Sequence, residues 1–108
     1  MPTNVTLKKY GLSLDEWQAL YDKYNGACHV CYQKPSTGRL NVEHEHVKGW
    51  RKMKPEERKK YIRGLACYIC NHRLLTRGVT IEKLLNAAKY LRDYEERKQI
   101  ITVVESGS

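Results

Sequence analysis

The chain has 108 residues, no phenylalanine, a negative mean hydropathy, a net charge of +8 and a pI near 9.4. That length suits one domain, and a chain of this size buries only about two-thirds of its unfolded surface, so the core is thin and a metal crosslink would matter. No segment reads as the apolar part of a signal peptide or as a bilayer span, which excludes a membrane partner and points to a cytoplasmic protein (the infected host's cytoplasm if phage-encoded), where paired thiols hold metal more often than they form disulfides.

In chain order, residues 1–9 are polar and basic and are expected to be loose. Residues 12–26 read as a helix. Ser13 with Glu16 makes a capping box, Leu12 with Trp17 suits a hydrophobic staple, and Gly26 is a good stop. Trp17, Leu20, Tyr21 and Tyr24 recur at helical spacing and read as core. Cys28 to Cys31 follows as a turn, and Lys34-Pro35-Ser36-Thr37-Gly38 carries turn chemistry. Residues 40–44 alternate apolar and polar as a short strand. A brief helix starts at Pro55, with acids at its positive end and bases at its negative end. Residues 63–66 return as a second strand into Cys67, and 70–76 form a short helix that stops near Gly78. Thr80 caps a last helix over 81–98, whose apolar face packs on the core or on a second copy as a homodimer; the tail 99–108 has no assigned place.

The four cysteines fall in two Cys-x-x-Cys turns, Cys28/Cys31 and Cys67/Cys70. Each turn presents two sulfurs to one ion, and two turns close a tetrahedral zinc site with no open position, so this metal is structural. Four buried or redox-active thiols are the alternative. His29, inside the first turn, is expected to be exposed and not a ligand. Between the turns lies Glu43-His44-Glu45-His46. On a flat strand the two imidazoles share one face and the two carboxylates the other, so a single metal takes neighbours only where the strand ends or bulges. Read alone, the motif favours the plain polar end of a strand over a metal site.

The charge is local. Residues 47–64 hold eight Lys or Arg and two Glu, which gives +6, while the remaining residues sum to +2. Lys48, Arg51, Lys52, Lys54, Arg58, Lys59, Lys60 and Arg63 form this block, which suits the phosphates of DNA or is simply a solvated face. Trp50 and Tyr61 within it either stack on bases or pack under the loop.

The order Cys-x-x-Cys, acid-His-acid-His, then Arg63-Gly64-Leu65-Ala66-Cys67 and Cys70-Asn71 resembles the phage recombination endonuclease VII family of HNH (His-Me finger) nucleases, from about Tyr10 to Leu91. The resemblance implies an α+β fold: a small zinc-stabilised ββα-metal core over about 10–98, within a single domain 1–108, flanked by N- and C-terminal helices. It implies a metal-dependent DNA endonuclease that nicks, cuts duplex or cuts branched DNA. Carried over, Cys28, Cys31, Cys67 and Cys70 are the zinc ligands and His44 is the general base. Glu43 and Asn71 hold the catalytic Mg²⁺ or Mn²⁺, and His46 matches the motif's second histidine. Glu43 stands where the family has the shorter Asp, and the basic stretch 49–61 is longer than the tight hairpin of many relatives. The alternatives are a zinc-ribbon DNA-binding module without catalysis, which leaves His44 and Asn71 unexplained, and a degenerate nuclease that keeps the fold.

Overall fold

The computed structural model describes residues 2–107, with the side chains of its closing helix described through Ile100. The backbone divides into two compact units, one ending at Arg77 and one starting at Gly78.

The first unit opens with α1 (Asn4–Tyr10), where a loose segment was expected. Two local devices account for the helix. The Thr3 side chain accepts from the Thr6 N–H, and Gly11, in the left-handed conformation at φ 67°, closes the other end while Leu12 N–H reaches back to the Leu7 carbonyl (3.0 Å). A Cβ on Gly11 would meet the Pro55 carbonyl oxygen at 2.6 Å, so the glycine also admits α3 (Pro55–Arg58) against the end of α1.

Helix α2 (Leu14–Lys23) has the expected capping box, with Ser13 and Glu16 bonded reciprocally. Its end differs from expectation by one position. Asn25 takes the left-handed stop at φ 53°, and Gly26 follows at φ 79°, donating to the Tyr21 carbonyl (2.9 Å). Asparagine visits this conformation more readily than other side chains because its short polar group can hydrogen-bond the local backbone. Trp17 and Tyr21 stack (ring centroids 5.2 Å), and Trp17 is buried in the core as its spacing predicted.

The sheet is one antiparallel hairpin of β1 (Asn41–His44) and β2 (Ile62–Ala66). Asn41 pairs with Ala66, Val42 with Leu65 and Glu43 with Gly64, but His44 pairs with Ile62. Arg63 is therefore an extra residue, a β-bulge that bends the strand beside His44. The core is small: Trp17, Cys28, Leu40, Val42, Leu65, Ala66 and Cys70. Between the strands run the 3₁₀ turns Trp50–Lys52 and Lys59–Tyr61, on either side of α3. After β2 comes a π-helical turn, Cys70–Leu74, wider than the α-helix expected there, with Leu75 N–H on the Cys70 carbonyl (2.8 Å).

The second unit is one helix, α4 (Ile81–Gly107), capped by Thr80 Oγ1 on the Lys83 N–H (3.1 Å). It runs on past the expected end at Lys98. No proline or glycine interrupts 99–106, and β-branched residues cost a helix only a few tenths of a kcal/mol each. Ile81, Leu85, Leu91 and Tyr94 on it are exposed. Among the described residues no helix is long and apolar enough to cross a membrane.

Candidate active site

The four sulfurs of Cys28, Cys31, Cys67 and Cys70 lie within 4.8 Å of one another, with Cys31 Sγ and Cys67 Sγ 3.9 Å apart. A zinc–sulfur bond of about 2.3 Å in a tetrahedron sets sulfur–sulfur edges of about 3.8 Å, so the cluster fits the ion. Backbone N–H groups aim at the sulfurs: Cys67 N–H and Val30 N–H at Cys28 (3.3 and 3.4 Å), and Cys70 N–H at Cys67 (3.5 Å). Burial pushes the Cys28 thiol up, but these donors more than offset it and bring it to about 6. Burial pushes the Cys70 thiol well above its ordinary value, and the neighbouring sulfurs push it further. One thiolate forms readily, while a set of them in so small a volume requires a cation. The four-cysteine cluster thus has the donor chemistry of structural zinc.

His29 is not the exposed residue that was expected. Leu65 N–H donates to its Nδ1 (3.3 Å), so the proton sits on Nε2, which donates to the Leu20 carbonyl (2.8 Å). Its own N–H reaches the Leu65 carbonyl (2.9 Å). The imidazole thus braces α2, the first cysteine turn and β2 together. A Cβ on Gly64 would collide with that ring, so the glycine of the Arg-Gly-Leu run serves His29 and not the active pocket.

The alternation of the first strand holds. Val42, His44 and His46 line one open pocket of about 370 Å³, completed by Tyr10, Asn71, His72, Thr76 and Arg77. His44 Nδ1 lies 2.9 Å from the Glu45 carbonyl oxygen. A carbonyl only accepts, so Nδ1 carries the proton and Nε2 is left as the basic nitrogen. This is the orienting acceptor that a general base needs. Burial pulls the His44 pKa below its ordinary value, and nearby His46 adds to that, against the opposing pull of the Glu45 carbonyl and Glu43. The shift favours the neutral imidazole, the form that takes a proton. Its ring stacks on Trp50 with centroids 3.8 Å apart and planes within 1°. Asn71 reaches the same pocket because the π turn places it directly after the thiolate of Cys70, its N–H on the Cys67 carbonyl (2.9 Å).

Glu43 is placed elsewhere. It is 3% exposed and lines a second cavity, on the other side of the hairpin, with His29, Arg63 and Gly64. Both its oxygens face Arg63, Nε to Oε1 at 2.9 Å and Nη2 to Oε2, and the same guanidinium reaches the His44 carbonyl (3.3 Å). A buried carboxylate needs such a fork. The structure does not bring Glu43 to Asn71, and the pocket that holds Asn71 presents no carboxylate. As it stands, that donor set does not fit a hard divalent ion, which takes oxygen ligands.

The basic block also divides. Arg63 is paired with Glu43, Lys59 forms an ion pair with Glu16, and Arg58 donates to the backbone carbonyls of Trp50, Lys9 and Arg51 (3.2, 3.2 and 3.0 Å). Lys48, Arg51, Lys52, Lys54 and Lys60 are exposed and form no side-chain bond among the described residues. Tyr10, His72, Thr76 and Arg77 were missed by sequence reasoning as pocket residues. Tyr10 has no local signal of it, while His72 and Arg77 follow Asn71 closely enough to have been considered.

The pocket thus sets an imidazole with one open nitrogen, an amide and a guanidinium together on a hairpin stapled by thiols. Sequence relatives give the class of protein. The family model for recombination endonuclease VII matches residues 3–93, and the chain belongs to that family of phosphodiester hydrolases. It is similar to the gene 59 protein of Mycobacterium phage D29, 33% identical over 88 residues, which is 80% of this chain and 47% of that protein. It is also similar to the gene 59 protein of Mycobacterium phage L5, 32% identical over 66 residues, 60% of this chain and 34% of that one. The chain thus spans less than half the length of these relatives. No solved structure matches it.

Proposed function

We propose that the chain is a DNA endonuclease that hydrolyses phosphodiester bonds with His44 as general base. The observation that carries this is the His44 ring itself, held through Nδ1 by the Glu45 carbonyl, with Nε2 facing a pocket shared with Asn71. In this reading Nε2 takes the proton of a water as its oxygen attacks phosphorus, the phosphorus–oxygen bond to the leaving sugar oxygen breaks, that oxygen takes a proton from solvent, and the imidazolium is stabilised by the same carbonyl until it gives its proton back to solvent. Arg77, on the pocket wall, supplies positive charge to the phosphate. His46, edge-on to His44 with centroids 5.4 Å apart, limits the freedom of that ring. Zinc on the four cysteines would hold the hairpin and the Asn71 turn in one frame and take no part in the reaction. Lys48, Arg51, Lys52, Lys54 and Lys60 hold flanking phosphates.

If a catalytic Mg²⁺ or Mn²⁺ binds, Asn71 is the residue that would hold it in the pocket, and Glu43 would join only by leaving Arg63, since the pocket presents no carboxylate of its own. That pairing favours one second reading, a degenerate nuclease that keeps the fold without the activity. Nicking of supercoiled plasmid in Mg²⁺ or Mn²⁺, against EDTA, separates the two. The expected result is metal-dependent nicking by the wild type. His44→Ala loses ~10²–10⁴-fold of it, as removal of a general base does, with zinc content and DNA affinity unchanged. Glu43→Gln distinguishes the ligand from the structural acid: a metal ligand gives a loss that excess Mn²⁺ partly restores, while a partner of Arg63 alone gives a loss of stability that metal does not restore. Normal nicking by His44→Ala would overturn the nuclease mechanism.

A further inference from the structure

Arg58 lies in the middle of the most basic stretch of the chain, where binding a phosphate is the obvious role. Its geometry says otherwise. Each nitrogen of its guanidinium donates to a backbone carbonyl: Nε to Trp50 and Nη2 to Arg51 in the 3₁₀ turn, and Nη1 to Lys9 at the end of α1. Its planar head also sits 5.5 Å from the Trp50 ring centroid. The turn that carries Trp50 is thereby tied to the body of the domain. Trp50 in turn lies flat on the His44 ring at 3.8 Å, with planes within 1°, and Tyr10 approaches both rings, at 6.0 Å from Trp50 and 5.9 Å from His44.

We propose that Trp50, clamped by Arg58, is the positioning residue that sets the plane of the His44 imidazole, so that the basic loop seats the general base as well as binding DNA. This rests on the nuclease reading above. The Glu45 carbonyl fixes one point of the ring, Nδ1, and leaves rotation about that hydrogen bond. A stacked indole removes that rotation and fixes the direction in which Nε2 points. A hydrogen bond and a face contact together define the ring; neither does so alone. Neither Arg58 nor Trp50 touches the reacting atoms in this scheme, and both act through His44.

The claim separates kcat from KM. Trp50→Leu and Arg58→Gln, in the zinc-loaded full chain nicking plasmid, are expected to lower kcat by about 10–10²-fold with KM and the salt dependence of DNA binding near wild type, since misorientation of a catalytic group acts on the chemical step. Trp50→Phe, which keeps a flat ring, is expected to recover most of that loss. Proton NMR gives a readout that needs neither activity nor a Trp50 variant. His44 ring protons, assigned by their disappearance in His44→Ala, are expected upfield of the other histidines because they lie over the indole.

Wild-type kcat in a folded Trp50→Leu would overturn the proposal. So would Arg58→Gln that raises KM and flattens the salt dependence at unchanged kcat, which makes Arg58 a phosphate ligand. If Trp50→Leu loses its zinc or its fold, His44 protons at ordinary shifts in the wild type would overturn it. Failure of the wild type itself to nick sinks the nuclease reading, and the upfield shift then reports the stack by itself.

Discussion

At the scale of single residues, the histidines show how one side-chain type is given different work by its partners. His29 accepts on Nδ1 and donates from Nε2, so both its nitrogens are bonded and it is structural; His44 donates from Nδ1 to a carbonyl and keeps Nε2 available. Burial holds the His44 pKa below 6.5. Its cation is disfavoured in the folded state, so on acidification the unfolded chain takes up this proton first. The stability tied to the neutral ring is present above 6.5 and is lost as pH falls towards the folded value. If His44 is the base, the same shift means that kcat/KM, which reports the free protein, falls with acid only below the lowered pKa, by about tenfold per unit, as loss of a single general base requires. A nicking rate that still climbs tenfold per unit above about pH 7.5 would assign the base to another group. Gly64 gives a second test. Its missing Cβ is the space that the His29 ring occupies. Gly64→Ala is expected to destabilise by about 1–3 kcal/mol, the cost of overpacking. In the double variant with His29→Ala, chemical denaturation should show that cost largely gone; an additive pair would mean that the strain lies in the backbone.

At the scale of elements, the hairpin and the loop it carries hold most of the functional information. Ordinary strand alternation turns Glu43 to the brace side and His44 to the pocket side, so one short strand serves two sides. Not all of the basic stretch 47–64 is available to phosphates, because Arg58, Lys59 and Arg63 have partners within the protein. Lys48, Lys52 and Lys54 are therefore the better probes of DNA binding. Removing one cation that neutralises a phosphate should reduce the slope of log affinity against log salt by ~0.9 on duplex DNA, so replacing these three by Ala should flatten it by up to about three such steps. Titrations at several salt concentrations would show this, and an unchanged slope would move the phosphate-binding surface to another face. The same variants should leave kcat near wild type at saturating DNA, whereas Arg58→Gln should not.

At the scale of the whole molecule, the core of the first unit contains few large side chains and two of the cysteines, Cys28 and Cys70. The metal site and the core are therefore one object. Structural zinc contributes an apparent ~10–16 kcal/mol of binding energy that is also folding energy, so Cys70→Ser or prolonged chelation is expected to unfold the first unit, with one zinc per chain recovered from the folded wild type. Elemental analysis showing folded, zinc-free protein with four reduced thiols would refute this. What the sequence alone determined about this protein lies within short separations. The capping box of Ser13 and Glu16, the turn at Pro35 to Gly38, the Thr80 cap and the two Cys-x-x-Cys turns each join residues no more than four apart, so their geometry follows from local backbone preference. The strand alternation and the Cys-Asn juxtaposition were legible for the same reason, whereas the pairing of the two distant turns was legible from chemistry, because one tetrahedral ion takes four thiolates. Only the tertiary structure decided who faces whom across longer stretches: Glu43 with Arg63, Trp50 on His44, Arg58 on the Lys9 carbonyl and His29 between α2 and β2. A one-residue bulge changes which partner every later side chain meets, and no periodicity in the sequence marks its position.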